Sequence, residues 1–382
     1  MRLLIISNMS HYLKNGQIVG WGPTVQEINA LSTLFDKVHH LGCLHPESAP
    51  ASALPYDNDN IMFIPVPPAG GKSFRDKLTI LKFTPVYIRK IWKALNETDV
   101  VHLRCPANIP LLGLLLLIIR KRPVIRWAKY AGNWEAGPDY PFFYRLQRWI
   151  LKQNFARCYV TVTGEWGDQK QHVITFNNPC LTLEEISLAK KASIKKDISA
   201  PAQLIFVGAL NERKGAGRLL RVIYKLKDSG YPIILNILGD GQNRHDYEKW
   251  CKDHGIEDIV NFQGWIPKPA LKNFYQKAHL NILPSESEGW PKVLGEGMAY
   301  GVVPVAGAVS SIPQMLNKTR AGVSIDPFDI DGFVAAIQRM IEEPEVWKSY
   351  SQNSIKYAPL FTYEHYLASV KGLFKTAWNV DL

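Results

Sequence analysis

Short β-branched runs alternate with longer amphipathic stretches along the whole chain, and this alternation limits the fold more than any other feature. In the first half the runs lie at 3–7, 37–41, 61–66, 100–103, 124–127 and 158–162, with helical patterns such as 24–35 and 84–96 between them. In the second half the runs lie at 204–207, 233–238, 259–262, 280–283 and 303–306, separated by helical patterns at 217–228, 244–254, 267–279 and 291–300. A connection of helical length starts each strand in the same direction as the last. The pattern therefore specifies an α/β protein whose parallel sheets carry helices on both faces. One core rarely grows past about 250–300 residues, so 382 residues call for two such domains. They are expected at 1–190 and 200–360, joined through the polar, lysine-bearing stretch 185–202, with a last helix at about 361–382 returning to the first domain.

Hydrophobic residues make up 46% of the chain and charged ones 21%, enough apolar content to exclude a disordered or collagen-like polymer. The net charge of +11 is one-sided: residues 1–196 hold 25 Lys and Arg against 14 Asp and Glu, whereas 197–382 hold 20 of each. A basic half suits an anionic partner, and an anionic membrane surface fits best; no nucleic-acid motif is present, so no nucleic-acid partner is expected. Five widely spaced cysteines without a CxxC argue against a zinc site or disulfide framework and for a reducing cytoplasm. The opening MRLLIISN is too short for a signal-peptide core and reads as the first strand. The apolar run 109–119 falls short of the roughly 20 residues that span a bilayer. It reads as a buried helix or a membrane-dipping one, which leaves a cytoplasmic protein, peripheral on the inner face of the membrane through its basic half. Two D-x-D triplets, at 57–59 and 329–331, sit in turn-like contexts and are read as solvated turns, so no metal site is expected.

The stretch 281–301, NILPSESEGWPKVLGEGMAYG, carries the most chemistry. A strand ends at Pro284, an acidic loop follows, and Pro291 is placed to open a helix. The free N–H groups of a helix N-terminus make a seat for phosphate. Glu288 lies just before that seat and Glu296 lies inside the helix. Both suit hydrogen bonds from sugar hydroxyls; equally, Glu286 and Glu288 suit the helix dipole, and spacing alone leaves both readings open. At 204–215, LIFVGALNERKG, a strand runs into Gly208 and a loop bearing Arg213 and Lys214, either a diphosphate clamp or a solvated basic turn. In NILGDG, Gly239 permits close backbone approach at a strand end.

Together these stretches resemble the retaining, nucleotide-sugar-dependent glycosyltransferases of family 4, whose GT-B architecture sets two doubly wound Rossmann-like domains across a cleft. Glu288 and Glu296, with seven residues between them, look like the family's E-x7-E signature; VGALNERKG and AGVSIDPFDIDGFVAAIQRM look like its Lys-Gly element and its Gly…Pro-x-Asp segment. The resemblance is specific over about 203–342 and mostly architectural before 200. It implies that Glu288 faces the transferred sugar and that Glu296 binds the ribose hydroxyls. It also implies that Arg213 and Lys214 hold the diphosphate together with backbone groups at Gly208, Gly239, Gly289, Lys292 and Val293, while the base rests near Gly264 and Trp265. Ala209, Trp290 and Gln314 stand where the family often has Arg, Phe and Glu.

In the first half, Gly20-Trp21-Gly22-Pro23 is read as part of a long loop after the first strand, with Gly22 approaching the donor phosphate or the acceptor, or else as a simple turn. His102-Leu103-Arg104 is similar to the family's His-x-His strand end, which implies catalytic positions at His102 and, in place of the second His, Arg104. A lone His at a strand end is otherwise structural. Lys129, Asn133 and Trp134 suit an acceptor pocket, since sugars stack on aromatic rings, or a surface loop. The activity implied is transfer of a sugar from a UDP- or GDP-type donor substrate to a sugar or lipid-linked acceptor hydroxyl. It would proceed with retention and with neither cofactor nor metal, in surface polysaccharide or glycolipid assembly. The alternatives are an inactive GT-B-like binding protein and a basic nucleic-acid-binding protein.

Overall fold

The computed structural model describes residues 1–70, 74–135, 137, 140–193 and 196–382, with side chains except at 74–78. Contacts divide the chain into two units, Met1–Phe176 with Leu367–Leu382, and Asn177–Tyr366.

Unit 1 runs β1 (Arg2–Lys14), β2 (Gln17–Trp21), α1 (Gly22–Ser32), β3 (Lys37–Leu44), β4 (Ala53–Pro55), β5 (Ile61–Val66), α2 (Phe74–Asn96), β6 (Val100–Cys105), α3 (Asn108–Ile119), β7 (Ile125–Tyr130), α4 (Phe142–Gln153), β8 (Tyr159–Val162) and β9 (Val173–Thr175). The strands β5, β3, β1, β6, β7, β8 and β9 lie side by side in parallel. The antiparallel pairs β1–β2 and β2–β4 depart from the all-parallel expectation. β1 is longer than expected: its start pairs with β3 and β6, and its end folds back onto β2. The turn is Asn15-Gly16, with φ of 50° and 78°, the two positive angles of a type I′ hairpin. The long loop expected around Gly22 is therefore a hairpin followed directly by α1.

Alternation along the strands sends Leu4, Ile6, Val101, Leu103 and Ala128 to the face covered by α2, α3 and α4. Trp127 belongs to the other face and meets Phe374 near the C-terminus edge to face. The apolar run is α3, ended by the buried Arg126, whose guanidinium donates to the carbonyls of Leu117, Arg120, Pro123 and Ala156. Among the described residues no helix is long and apolar enough to cross a membrane.

Unit 2 runs α5 (Leu183–Ser193), β10 (Ala202–Val207), α6 (Ala216–Asp228), β11 (Ile233–Leu238), α7 (Arg244–Asp253), β12 (Val260–Gly264), α8 (Lys268–Tyr275), β13 (Leu280–Leu283), α9 (Lys292–Ala299), β14 (Val303–Gly307), α10 (Ile312–Thr319), β15 (Val323–Ile325), α11 (Ile330–Glu342) and α12 (Pro344–Tyr357); α13 (Tyr363–Trp378) crosses the division. The division falls at Phe176, so the lysine-bearing stretch lies within unit 2. There Thr182 and Glu185 cap α5 reciprocally, each side chain accepting from the other's backbone N–H. The parallel strands take the order β12-β11-β10-β13-β14-β15. The order reverses between β10 and β13, and a ligand crevice forms outside the carboxyl ends of strands at such a switch point. The two segments there are 208–215 and 284–291, the two richest in the sequence.

Candidate functional site at the switch point of unit 2

After β10 the chain passes Gly208 and makes a single 3-10 turn, Glu212–Lys214. The Asn211 carboxamide caps it, accepting from the Lys214 N–H at 2.9 Å. Gly215 follows at φ 79°, and a Cβ there would meet the Pro284 carbonyl oxygen at 2.1 Å. This close approach lays the cationic turn directly on the acidic loop. The Arg213 carbonyl accepts from the Glu286 N–H at 3.1 Å and from the Ser285 hydroxyl at 3.1 Å. Arg213 Nη2 donates to Ser287 Oγ at 2.9 Å, and Lys214 Nζ donates to Glu288 Oε1 at 2.5 Å. Arg213, Lys214 and Glu288 are thus gathered in one cluster. Gly289 follows, its carbonyl accepting from the buried Ser311 hydroxyl at 3.0 Å.

α9 opens at Lys292 behind Pro291; the Leu294 N–H donates to the Pro291 carbonyl at 3.1 Å, while Val293, also in the first turn, precedes the helical i−4 ladder. Gly239 and Gly264 bridge across the neighbouring strand ends; a Cβ on Gly239 would meet the Gly208 carbonyl oxygen at 1.8 Å. Trp265, just beyond β12, is exposed. Glu296 is buried and accepts from the Tyr275 hydroxyl at 3.1 Å. Burial raises its pKa, while Lys268, Tyr275 and Lys292 oppose that shift. Trp290 stacks on Phe361 with ring centroids 4.9 Å apart, a packing role. Such an edge presents cations and a helix N-terminus beside a carboxylate, which is the chemistry needed to hold an anionic group and a hydroxylated one together.

The first-half candidates lie in unit 1 and divide sharply. Arg104 and Lys129 converge on Glu27 of α1: Arg104 Nη1 and Lys129 Nζ donate to its Oε1 at 2.8 and 2.7 Å. Both cations line a cavity of about 600 Å3 with Ser7, Tyr12, Trp21, Pro106 and Gly132. Sequence reasoning missed Glu27. Its signal was a lone carboxylate between Val25 and Ile28 on the buried stripe of α1.

Three other expectations need correction. His102 lies inside β6, fully buried with its ring centroid 3.9 Å from that of Trp127. Burial, then Arg104, holds its pKa well below the usual value, and it reaches no substrate surface. Trp134 is buried edge to face against Tyr130, so its ring offers no sugar-stacking face. The Gly22 N–H is spent on the Ser52 carbonyl at 3.0 Å, so it is no phosphate donor. Asn133 accepts from the Glu135 N–H at 3.0 Å in a local turn.

Comparison with known proteins fits this geometry. Residues 190–357 match the family model of the glycosyl transferases group 1. This segment is similar to the group 1 glycosyl transferase domains. Among curated relatives, the chain is 26% identical over 164 residues to a D-inositol 3-phosphate glycosyltransferase of Thermomonospora curvata, covering 41% of this chain and 38% of that one. It is also 26% identical over 153 residues to the amylovoran biosynthesis glycosyltransferase AmsK of Erwinia amylovora, covering 38% of each. The matches thus span well under half of these relatives. Among solved structures, sucrose-phosphate synthase from Thermosynechococcus elongatus superposes with a TM-score of 0.73 at 17% identity, over 99% of both chains. That likeness extends to unit 1, and the fold is the GT-B fold that the family 4 resemblance implies.

Proposed function

We propose that this chain is a retaining glycosyltransferase that moves a sugar from a UDP- or GDP-type donor to an acceptor hydroxyl in polysaccharide or glycolipid assembly. The observation that carries the reading is the cluster at the switch point: Arg213 on Ser287 and Lys214 on Glu288, beside the first amides of α9. Without donor, Lys214 is held by Glu288. A diphosphate arriving at α9 draws Arg213 and Lys214 onto its oxygens, and Glu288 turns to the hydroxyls of the transferred sugar. Glu296 serves the ribose. The bond from the anomeric carbon to the diphosphate oxygen breaks as the acceptor oxygen bonds to that carbon on the same face. The acceptor proton passes to the departing phosphate oxygen. Arg213, Lys214 and the helix amides stabilise the charge that develops there. Cations of the chain meet this charge, so the reading requires no metal, and turnover persists in excess chelator. In unit 1 the cavity at Arg104 and Lys129 receives the acceptor. The amylovoran enzyme among the relatives supports the polysaccharide assignment.

A panel of UDP-, GDP- and ADP-sugars, read by nucleotide release and by saturation-transfer binding, tests the proposal. One donor class is expected to bind and turn over, with Glu288→Ala lowering turnover by about 100-fold or more, the scale of a lost electrostatic contact to the reacting group. Absence of binding by every donor, or near-native turnover in Glu288→Ala, overturns it.

A further inference from the structure

α3 neighbours both α2 and α4 on one face of the unit 1 sheet, and the outer surfaces of the three helices are unusual for a face turned to water. On α4, Phe142, Phe143 and Trp149 are 68%, 57% and 52% exposed, and Phe155 follows just beyond. These rings meet each other: Phe142 packs against Phe143 at 5.5 Å and Trp149 against Phe155 at 5.2 Å. The same helix, FFYRLQRWILKQ, contributes Arg145, Arg148 and Lys152 and no acid, though Lys152 pairs with Asp168 and Arg148 donates to the Trp134 carbonyl at 2.9 Å. α3 is apolar at almost every position, yet its core stripe uses only one side, leaving Leu115 and Ile119 exposed, with Val124 beyond. On α2, Leu81 and Trp92 are exposed, and the Arg120 guanidinium lies over the Trp92 ring at 4.3 Å.

We infer that this face docks on an anionic lipid bilayer. Aromatic rings on an amphipathic helix sit at headgroup level, while basic side chains extend from an apolar stem to lipid phosphates. The charge distribution selects this partner over two others. A second copy meeting the face symmetrically would set the basic side of α4, with Arg145 and Arg148, against the same basic side, like charge on like. Single-stranded nucleic acid would use the rings and cations but leave Leu81, Leu115, Ile119 and Val124 without a partner, whereas acyl chains take up both aromatic and aliphatic groups. The inference is independent of the catalytic reading, because docking is measurable without turnover.

The test is flotation of the full chain with vesicles of phosphatidylcholine alone and of phosphatidylcholine with phosphatidylglycerol. The native chain is expected to float with the phosphatidylglycerol vesicles and to be released by salt. The triple substitution Phe142→Ser, Phe143→Ser, Trp149→Ser should reduce partitioning by roughly tenfold or more. Phe328→Ser, at an exposed ring of unit 2, should leave it unchanged. Unaltered circular dichroism and thermal midpoint in the triple variant confirm that it folds; if it does not fold, Arg145→Glu alone serves, with a smaller loss. Equal flotation with both vesicle types, native-like flotation of the folded variants, or a face that instead drives self-association or RNA binding would overturn the inference.

Discussion

Two carboxylates, Glu27 and Glu288, show how similar pairings acquire different work. Glu27 is almost fully buried with Arg104 and Lys129 on its oxygens, and both cations are themselves largely covered. Removing one charge from such a set strands the others in a poorly solvated site. Glu27→Gln should therefore destabilise the protein by about 3–5 kcal/mol, read by urea denaturation; a native midpoint would show that water reaches the cations. Lys214, one-third exposed, pairs with Glu288 at 2.5 Å. The Glu288 side chain is only 9% exposed, so the pair is solvated at its lysine end alone, and losing it costs more than an open surface pair yet less than a fully buried one, about 1–2 kcal/mol. Lys214→Met is expected to lower the thermal midpoint only modestly while weakening donor binding by about tenfold or more, by calorimetry, because a charge-assisted contact to phosphate is lost. A fallen midpoint with unaltered donor affinity would assign Lys214 to structure instead. Glu288 was legible through the E-x7-E resemblance, although spacing alone left its role open. Glu27 was not, because its partners lie 77 and 102 residues away and only the sheet brings them together.

At the scale of elements, the site depends on a strand end pressed against a loop. Gly215 places the turn after β10 within contact of Pro284, where a Cβ would lie 2.1 Å from the carbonyl oxygen, and its φ of 79° already favours glycine. Gly215→Ala must shift one segment away from the other. We expect a stability loss of about 1–3 kcal/mol together with weaker donor binding, even though no catalytic side chain is altered. Native affinity in that variant would mean that the two segments need no fixed contact. The strand–helix alternation that predicted these elements is strong because it repeats over many residues. The hairpin of β1 and β2 was overlooked although its Asn15-Gly16 turn is a local signal; β4 is only three residues long and carries no periodicity.

For the whole molecule, buried imidazoles set the response to acid. Burial lowers His11 and His279 to about 4 from 6.5, and holds His40 well below 6.5. Between these values the unfolded chain binds protons that the folded chain refuses, so stability present above about pH 6.5 should fall as pH drops towards 4. Lys196 acts at the other end. Its Nζ donates to the carbonyls of Tyr275 and Tyr300 at 2.8 and 3.0 Å, and burial lowers it to about 7 from 10.5. The unfolded chain holds that proton across the window, so its contribution to stability rises from about pH 7 towards 10.5. Thermal midpoints across pH 4–10 test both limbs. A profile flat below pH 6.5 would show that the imidazoles gain protons without unfolding.

The sequence by itself determined the α/β class, the parallel sheets and the pair of loops at 208–215 and 284–291, because these rest on periodicity and on glycine, proline and charge within a few consecutive residues. Only the tertiary structure decided which candidates meet. Solvent access and long-range pairing belong to the packed sheet: it buries His102 and Trp134, spends the Gly22 N–H on Ser52, gathers Arg104 and Lys129 on Glu27, and leaves the rings of α4 facing outward.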